Sequence, residues 1–70
     1  MKLTVNGEER DCAAQNLAEL WRVETADLEI IEPRGFAISL NGAVVRRAAW
    51  SATAIHDGDI VEIIRAMSGG

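Results

Sequence analysis

Ile60-Val61-Glu62-Ile63-Ile64 is the stretch that decides the fold of this chain. It is apolar and β-branched at odd and even positions alike, and the turn dipeptide Asp57-Gly58 precedes it. A run with no polar side suits a strand flanked by neighbours, so it reads as a central strand. Upstream, Phe36, Ile38 and Leu40 alternate with Ala37 and Ser39, the period of a half-buried strand. Asn41-Gly42 follows as a hairpin signal, and Val44-Val45 begins a return strand. The first residues repeat the pattern: Leu3 and Val5 alternate with Lys2 and Thr4, and Asn6-Gly7 follows. Asn-Gly suits a type I′ turn, in which both central residues take positive φ. The return strand, Glu8 to Cys12, is polar and belongs at an edge.

One helix fits between the hairpins. Asn16 is its N-cap, with Glu19 three residues on in a capping-box position, where its carboxylate reaches back to the cap N–H. Leu17, Leu20 and Trp21 make one apolar stripe, which predicts a helix from about Asn16 to Val23. Pro33 and Arg34-Gly35 argue for a loop or frayed turn from Glu24 to Gly35, although Leu28 and Ile31 continue the stripe. Arg46 to Thr53 reads as a polar connection holding Trp50. The order is strand, strand, helix, strand, short strand, strand. That order predicts an α+β domain, one helix packed across one face of a mixed sheet of four to five strands. Residues 1–66 form this single domain and 67–70 a flexible tail, since Met67-Ser68-Gly69-Gly70 cannot close a core. The core candidates are Leu3, Val5, Leu17, Leu20, Trp21, Ile38, Leu40, Val61 and Ile63.

Composition narrows the function. The 70 residues are 49% hydrophobic and 26% charged, the balance of a globular domain. Seven basic residues against eleven acidic ones give a net charge of −4, which argues against nucleic-acid binding. Cys12 is the single cysteine, so no internal disulfide forms and no Cys/His cluster holds a metal. No apolar run approaches the roughly 20 residues of a membrane span, and the N-terminus lacks a signal-peptide core. A cytoplasmic location is expected.

The candidates for chemistry are few. A Cys12–His56 nucleophile pair has no third orienting group, and a catalytic role for it is outweighed by structural ones. Asp57 and Asp59 flank Gly58 but lack the ligand spacing of a calcium loop, so they read as turn residues bonding the local backbone. Arg46-Arg47 is the one basic pair, a solvated hairpin pair or a docking contact. Trp21 belongs to the helix stripe, and Trp50 is a core plug in preference to a partner surface. The tail remains. Two terminal glycines arise by chance in roughly 0.5% of chains at average glycine usage. A linker remnant is the competing origin, but such remnants are longer or carry a tag. The α-carboxyl of Gly70 ionises near pH 3.3–3.7 in the unperturbed state. A side-chain-free arm threads a narrow channel, where that carboxylate can attack the α-phosphate of ATP to form an acyl-adenylate.

Ala37-Ile38-Ser39-Leu40-Asn41-Gly42, Val44-Val45-Arg46-Arg47 with Trp50, Asp57-Gly58-Asp59, Val61-Glu62-Ile63 and Gly69-Gly70 together resemble the ThiS family of sulfur carrier proteins of thiamine biosynthesis, within the ubiquitin-like β-grasp superfamily. The likeness spans essentially the whole chain. It departs at Arg46, where relatives often have proline, and over Glu24 to Gly35, which is longer than in the shortest members. The resemblance implies a β-grasp fold, with the first and last strands parallel and side by side at the sheet centre. It also implies a protein co-substrate rather than an enzyme, with no catalytic residue and no cofactor of its own. A ThiF-type enzyme using MgATP would adenylate Gly70. A persulfide sulfur would leave a thiocarboxylate there, and thiazole synthase would take the sulfur for the thiazole ring. Gly69, Ser68 and Met67 would thread into the partner, and Arg46, Arg47, Ile60 and Ile64 are candidate partner contacts. Whether Ile60, Ile64 and Phe36 face the helix or the opposite side is left open by the pattern. The rival functions are a molybdopterin synthase small-subunit type of carrier, a ubiquitin-like modifier, and a plain interaction domain. The first of these tends to have an aromatic residue and prolines shortly before the tail, which this chain lacks.

Overall fold

The computed structural model describes residues 1–26 and 35–65. Five strands form one sheet: β1 (Lys2–Val5), β2 (Glu8–Asp11), β3 (Phe36–Leu40), β4 (Ala43–Val45) and β5 (Ile60–Arg65), in the order β2-β1-β5-β3-β4. β5 is central, as its apolar run predicts. It pairs parallel with β1 (Thr4 with Ile60, Val5 with Val61) and antiparallel with β3 (Leu40 with Val61 through Phe36 with Arg65). β2 lies at one edge and β4 at the other.

Both Asn-Gly hairpins form. Asn6 and Gly7 have φ of 51° and 82°, and Asn41 and Gly42 have 51° and 88°. These are the left-handed values that a type I′ turn requires and that Asn and Gly tolerate best. Each asparagine also bonds β5 through its side chain. Asn41 Oδ1 accepts the Ile60 N–H at 2.9 Å, and Asn6 Oδ1 accepts the Ile63 N–H at 2.7 Å.

Helix α1 spans Leu17–Glu24, with Asn16 at its N-cap in extended geometry. Asn16 Oδ1 accepts the Glu19 N–H at 2.9 Å. The return bond differs from expectation. Glu19 Oε1 accepts from the N–H of Gln15, at 2.8 Å, one residue before the cap. Glu24 is the helix's last residue rather than the first of a loop, and Thr25 caps it with its N–H and hydroxyl, both donating to the Trp21 carbonyl. The rest of the expected loop, residues 27–34, and the expected tail, residues 67–70, lie outside the described residues.

The expected connection from Arg46 to Thr53 contains an element that periodicity does not show: a 3-10 helix over Arg47–Ala52. It carries Trp50 into the core, where only 3% of the residue stays exposed and the indole N–H donates to the Val45 carbonyl at 2.9 Å. Trp50 is therefore the plug. Its ring lies 6.2 Å from that of Trp21, which meets Phe36 edge to face at 5.6 Å.

Leu3, Val5, Leu17, Leu20, Trp21, Ile38 and Val61 are buried as expected, and Leu40 and Ile63 are half-buried against them. Ala14, Trp50 and Ile55 complete the cluster. Each fully buried Leu, Ile or Val side chain contributes about 1.5–3 kcal/mol, which matters in a small domain whose single cysteine allows no internal disulfide. This core occupies one face of the sheet, under α1 and the 3-10 helix. The other face has no helix over it among the described residues.

Candidate functional site: the outward sheet face and the exit of the last strand

Strand alternation assigns the outward face. Leu3 and Val5 point into the core, so Lys2 and Thr4 point out, and Glu9, paired with Thr4, joins them. Val61 and Ile63 pack inward, so Ile60, Glu62 and Ile64 point out. The structure settles the facing that the pattern leaves open: β5 is central in order, as expected, while Ile60 and Ile64 stay 53% and 54% exposed on the outward face. Among the described residues nothing packs over these two isoleucines, which flank Glu62 on the same side of the strand. Phe36, the third residue left open by the sequence, is half-buried beside Trp21 on the core side.

Val44 is the outward residue that sequence reasoning missed. It pairs with Ser39 across β3–β4 and is 76% exposed, more than any other large apolar side chain described. The available signal was the Val44-Val45 doublet, since adjacent strand residues face opposite sides and only Val45 packs toward the core.

The candidate residues do not all converge. β3 begins, and β4 and β5 both end, at the same end of the sheet, through the pairs Phe36 with Arg65 and Ile38 with Val45. Ile64 lies at that end, and Arg46 and Arg47, both exposed, follow β4 there. Among the described residues neither arginine takes part in an ion pair. Ile60 lies at the opposite end, about 13 Å along the strand at 3.3 Å per residue. Gly70, Gly69, Ser68 and Met67 lie outside the described residues; β5, which they follow in sequence, ends at Arg65.

The other chemical candidates have structural employment. The Cys12 sulfur accepts the Ala14 N–H at 3.3 Å. His56 is exposed and has Asp59 as its charged neighbour, with Nδ1 to Oδ2 at 3.9 Å. Asp59 Oδ1 accepts from the Asn41 side-chain amide at 3.1 Å, and Oδ2 accepts the His56 N–H at 2.8 Å. The Asn41 amide first, then the His56 N–H, hold its carboxyl below the usual carboxylate range, with nearby His56 adding a smaller push and burial opposing them. Asp57 does not bond locally: its Oδ1 accepts the Lys2 N–H across the fold. No group of three or more His, Cys, Asp or Glu among the described residues is placed to hold a metal, and no described helix is long and apolar enough to cross a membrane. An open depression of about 340 Å³ lies on the helix side, lined among the described residues by Ala13, Ala14, Glu19, Arg22 and Val23.

What the geometry offers is a compact handle with exposed isoleucine and valine on its outward face, two arginines outside any ion pair among the described residues, and a last strand that the terminal segment follows in sequence. Comparison with known proteins gives that arrangement its context. The ThiS family matches residues 3–70. The crystal structure of the thiamine biosynthesis protein ThiS from Geobacter metallireducens superposes with a TM-score of 0.74, at 36% identity and full coverage of both chains. A solution NMR structure of a thiamine biosynthesis protein from the same organism gives a TM-score of 0.71, at 38% identity, covering all of this chain and 88% of that one. A protein named thiazole synthase from Paramagnetospirillum magneticum is 33% identical over 70 residues, and this chain spans 20% of its length. The fold, the match along nearly the whole sequence and the solved relatives together place this chain in the ThiS family, the β-grasp sulfur carriers of thiamine biosynthesis.

Proposed function

We propose that the carboxylate of Gly70 is the reacting group, and that the folded domain is the handle by which partner enzymes recognise it. In the first step a Gly70 carboxylate oxygen attacks the α-phosphorus of MgATP on a ThiF-type adenylating enzyme. Pyrophosphate leaves and a mixed acyl-adenylate forms. The terminal sulfur of a persulfide donor then displaces AMP, giving an acyl disulfide. A thiol cleaves its S–S bond and leaves the terminal thiocarboxylate. Thiazole synthase is the recipient of that sulfur. The full-length match to a stretch of a protein named thiazole synthase supports this partner.

The observation that carries the reading is the position of β5. A central strand, pinned between β1 and β3, delivers the chain to its last residues at the end of the sheet where Ile64, Arg46 and Arg47 gather. Glycine at 69 and 70 removes side chains where an enzyme channel is narrowest. The net charge of −4 suits a partner with a basic rim and would speed encounter more than it adds affinity.

Incubating the chain with a ThiF-type enzyme, MgATP and a sulfur donor should raise its intact mass by one oxygen exchanged for sulfur. Absence of that gain with a partner proven competent on another carrier would refute the reading. Deleting Gly70 should abolish the gain and leave thermal unfolding nearly unchanged. Gly69→Val should impair activation through its branched side chain, again without a change in unfolding.

A further inference from the structure

We propose that the β1-side edge of β5 beyond Val61 receives an extended segment of the adenylating enzyme as an added strand; this rests on the carrier reading above. The two sides of β5 end at different places. With β1 the register stops at Val5 and Val61, whereas with β3 it continues to Phe36 and Arg65.

Hydrogen bonding assigns each backbone group of β5 to a side. Ile60 exchanges bonds with Asn41 on the β3 side, its carbonyl accepting from the Asn41 N–H at 2.7 Å. Glu62 and Ile64 follow by alternation. On the β1 side the Thr4 N–H donates to the Asp59 carbonyl at 3.0 Å and the Asn6 N–H donates to the Val61 carbonyl at 2.9 Å. The Asn6 side chain then takes the Ile63 N–H. The next groups on that side are the Ile63 carbonyl and the Arg65 N–H. No strand of the described residues pairs with them.

The chain of β1 turns away from this edge at Asn6-Gly7 into β2. Exposed Ile64 flanks the edge on the outward face and offers apolar cover to an incoming strand. An acceptor and a donor two residues apart, beside an exposed isoleucine, are what strand addition uses: backbone bonds give the grip and alternate side chains the fit. Edges of this kind are usually covered or blunted in monomeric proteins. Here the edge is short and belongs to a strand that is internal everywhere else.

The occupant follows from the task of the first enzyme. It must orient a carboxylate against a phosphate, and small misplacements of reacting atoms lose much of the rate. Gly70 is five residues past Arg65, a reach of roughly 17 Å when extended. With no side chains at its last two positions, the arm is best aimed by fixing its stem. An added strand at Ile63–Arg65 sets both the direction and the register of that stem.

Two measurements test this with the full chain. On adding a purified ThiF-type enzyme without ATP, the Arg65 amide should exchange with solvent at least about tenfold more slowly, the equivalent of one hydrogen bond. Arg65→Pro removes that N–H, which no β3 residue uses, from a position where proline is tolerated. It should raise the KM for thiocarboxylation about tenfold over Arg65→Ala, at unchanged Tm. Equal KM for the two variants, or an unprotected Arg65 amide in the complex, would overturn the proposal. The amide measurement uses the unmodified chain, so misfolding of the proline variant does not weaken the test. Sulfur gain without Arg65 protection leaves the carrier reading standing and removes the edge. Protection without sulfur gain does the reverse.

Discussion

The two Asn-Gly turns have nearly the same backbone and opposite consequences. Both asparagines sit at φ 51°, both are followed by a left-handed glycine, and both accept an N–H from β5 through Oδ1. Asn41 closes its side. It holds Ile60 by both backbone groups and also donates its side-chain amide to Asp59, so β3 stays paired with β5 to the end of the strand. Asn6 ends its side. One side-chain bond to Ile63 takes the place of the next ladder bond, and the chain departs into β2. The same dipeptide therefore seals one flank of the central strand and stops the other short. A turn's local geometry is set by its two residues, but what it does for the sheet depends on the length of the strand opposite.

The strongest way to break this comparison is with proline. Glu62 faces β3, where it pairs with Ser39, so Glu62→Pro removes a ladder bond inside the core sheet. It should destabilise the domain by about 3 kcal/mol or more, while Arg65→Pro leaves thermal unfolding near wild type. Thermal unfolding by circular dichroism separates the two. Similar losses for both would show that the flanks of β5 are equivalent.

The asparagines come next. Asn41→Ala loses an acceptor for Ile60, a donor for Asp59 and tolerance of positive φ, and should cost about 2–3 kcal/mol. Asn6→Ala loses one bond and the same tolerance, and should cost about 1–2 kcal/mol. Urea titration of the pair decides it. An equal loss would mean that the extra bonds of Asn41 add nothing.

Asp59 adds a pH dependence to the sealed flank. Its folded pKa lies below the ordinary value of 3.8, chiefly through the Asn41 amide. The stabilisation is therefore fully present above about pH 4 and is lost as pH falls through the depressed folded value. Asp59→Ala should cost about 1–2 kcal/mol at neutral pH, and the gap to wild type should narrow in acid. A gap that stays constant from about pH 7 to about pH 2 would remove the carboxylate from the account. Asn41→Ala should flatten the acid limb as well, and Asn6→Ala should not.

Much of this was legible in the sequence because short-range chemistry dictates it. Positive φ selects Asn-Gly, the 3.6 period gathers Leu17, Leu20 and Trp21, and alternation marks β1 and β3. What was not legible depends on partners distant in sequence. The bond from Asn6 to Ile63 joins residues 57 apart, and only the parallel pairing of β1 with β5 brings them together. The facing of Ile60 and Ile64 was hidden because a run that is apolar at odd and even positions alike carries no period. The 3-10 helix was hidden because Trp50 is a lone large apolar anchor in a stretch of alanines and arginines. For the site, the terminal glycines were visible as chemistry, but the end of the sheet that β5 leads to, and the arginines and Ile64 that share it, emerge only from the strand order. Val44 shows the same limit: a valine doublet does not say which of its members is covered.

The smallest effect sharpens the comparison by where it should vanish. Gly7 and Gly42 have φ of 82° and 88°, and at both nothing lies within 4 Å of where an added methyl would stand. Neither glycine is there to make room, so alanine meets no clash and only the left-handed backbone penalty remains, roughly 1 kcal/mol. Gly7→Ala and Gly42→Ala should therefore lose the same stability, even though their neighbouring asparagines differ. Chemical denaturation of the two single variants measures this directly. If Gly7→Ala were clearly the milder, its turn would be relaxing into another geometry, which an unsealed flank permits and a sealed one does not. The difference between the two sides of β5 would then begin in the turns themselves rather than in the lengths of the strands they follow.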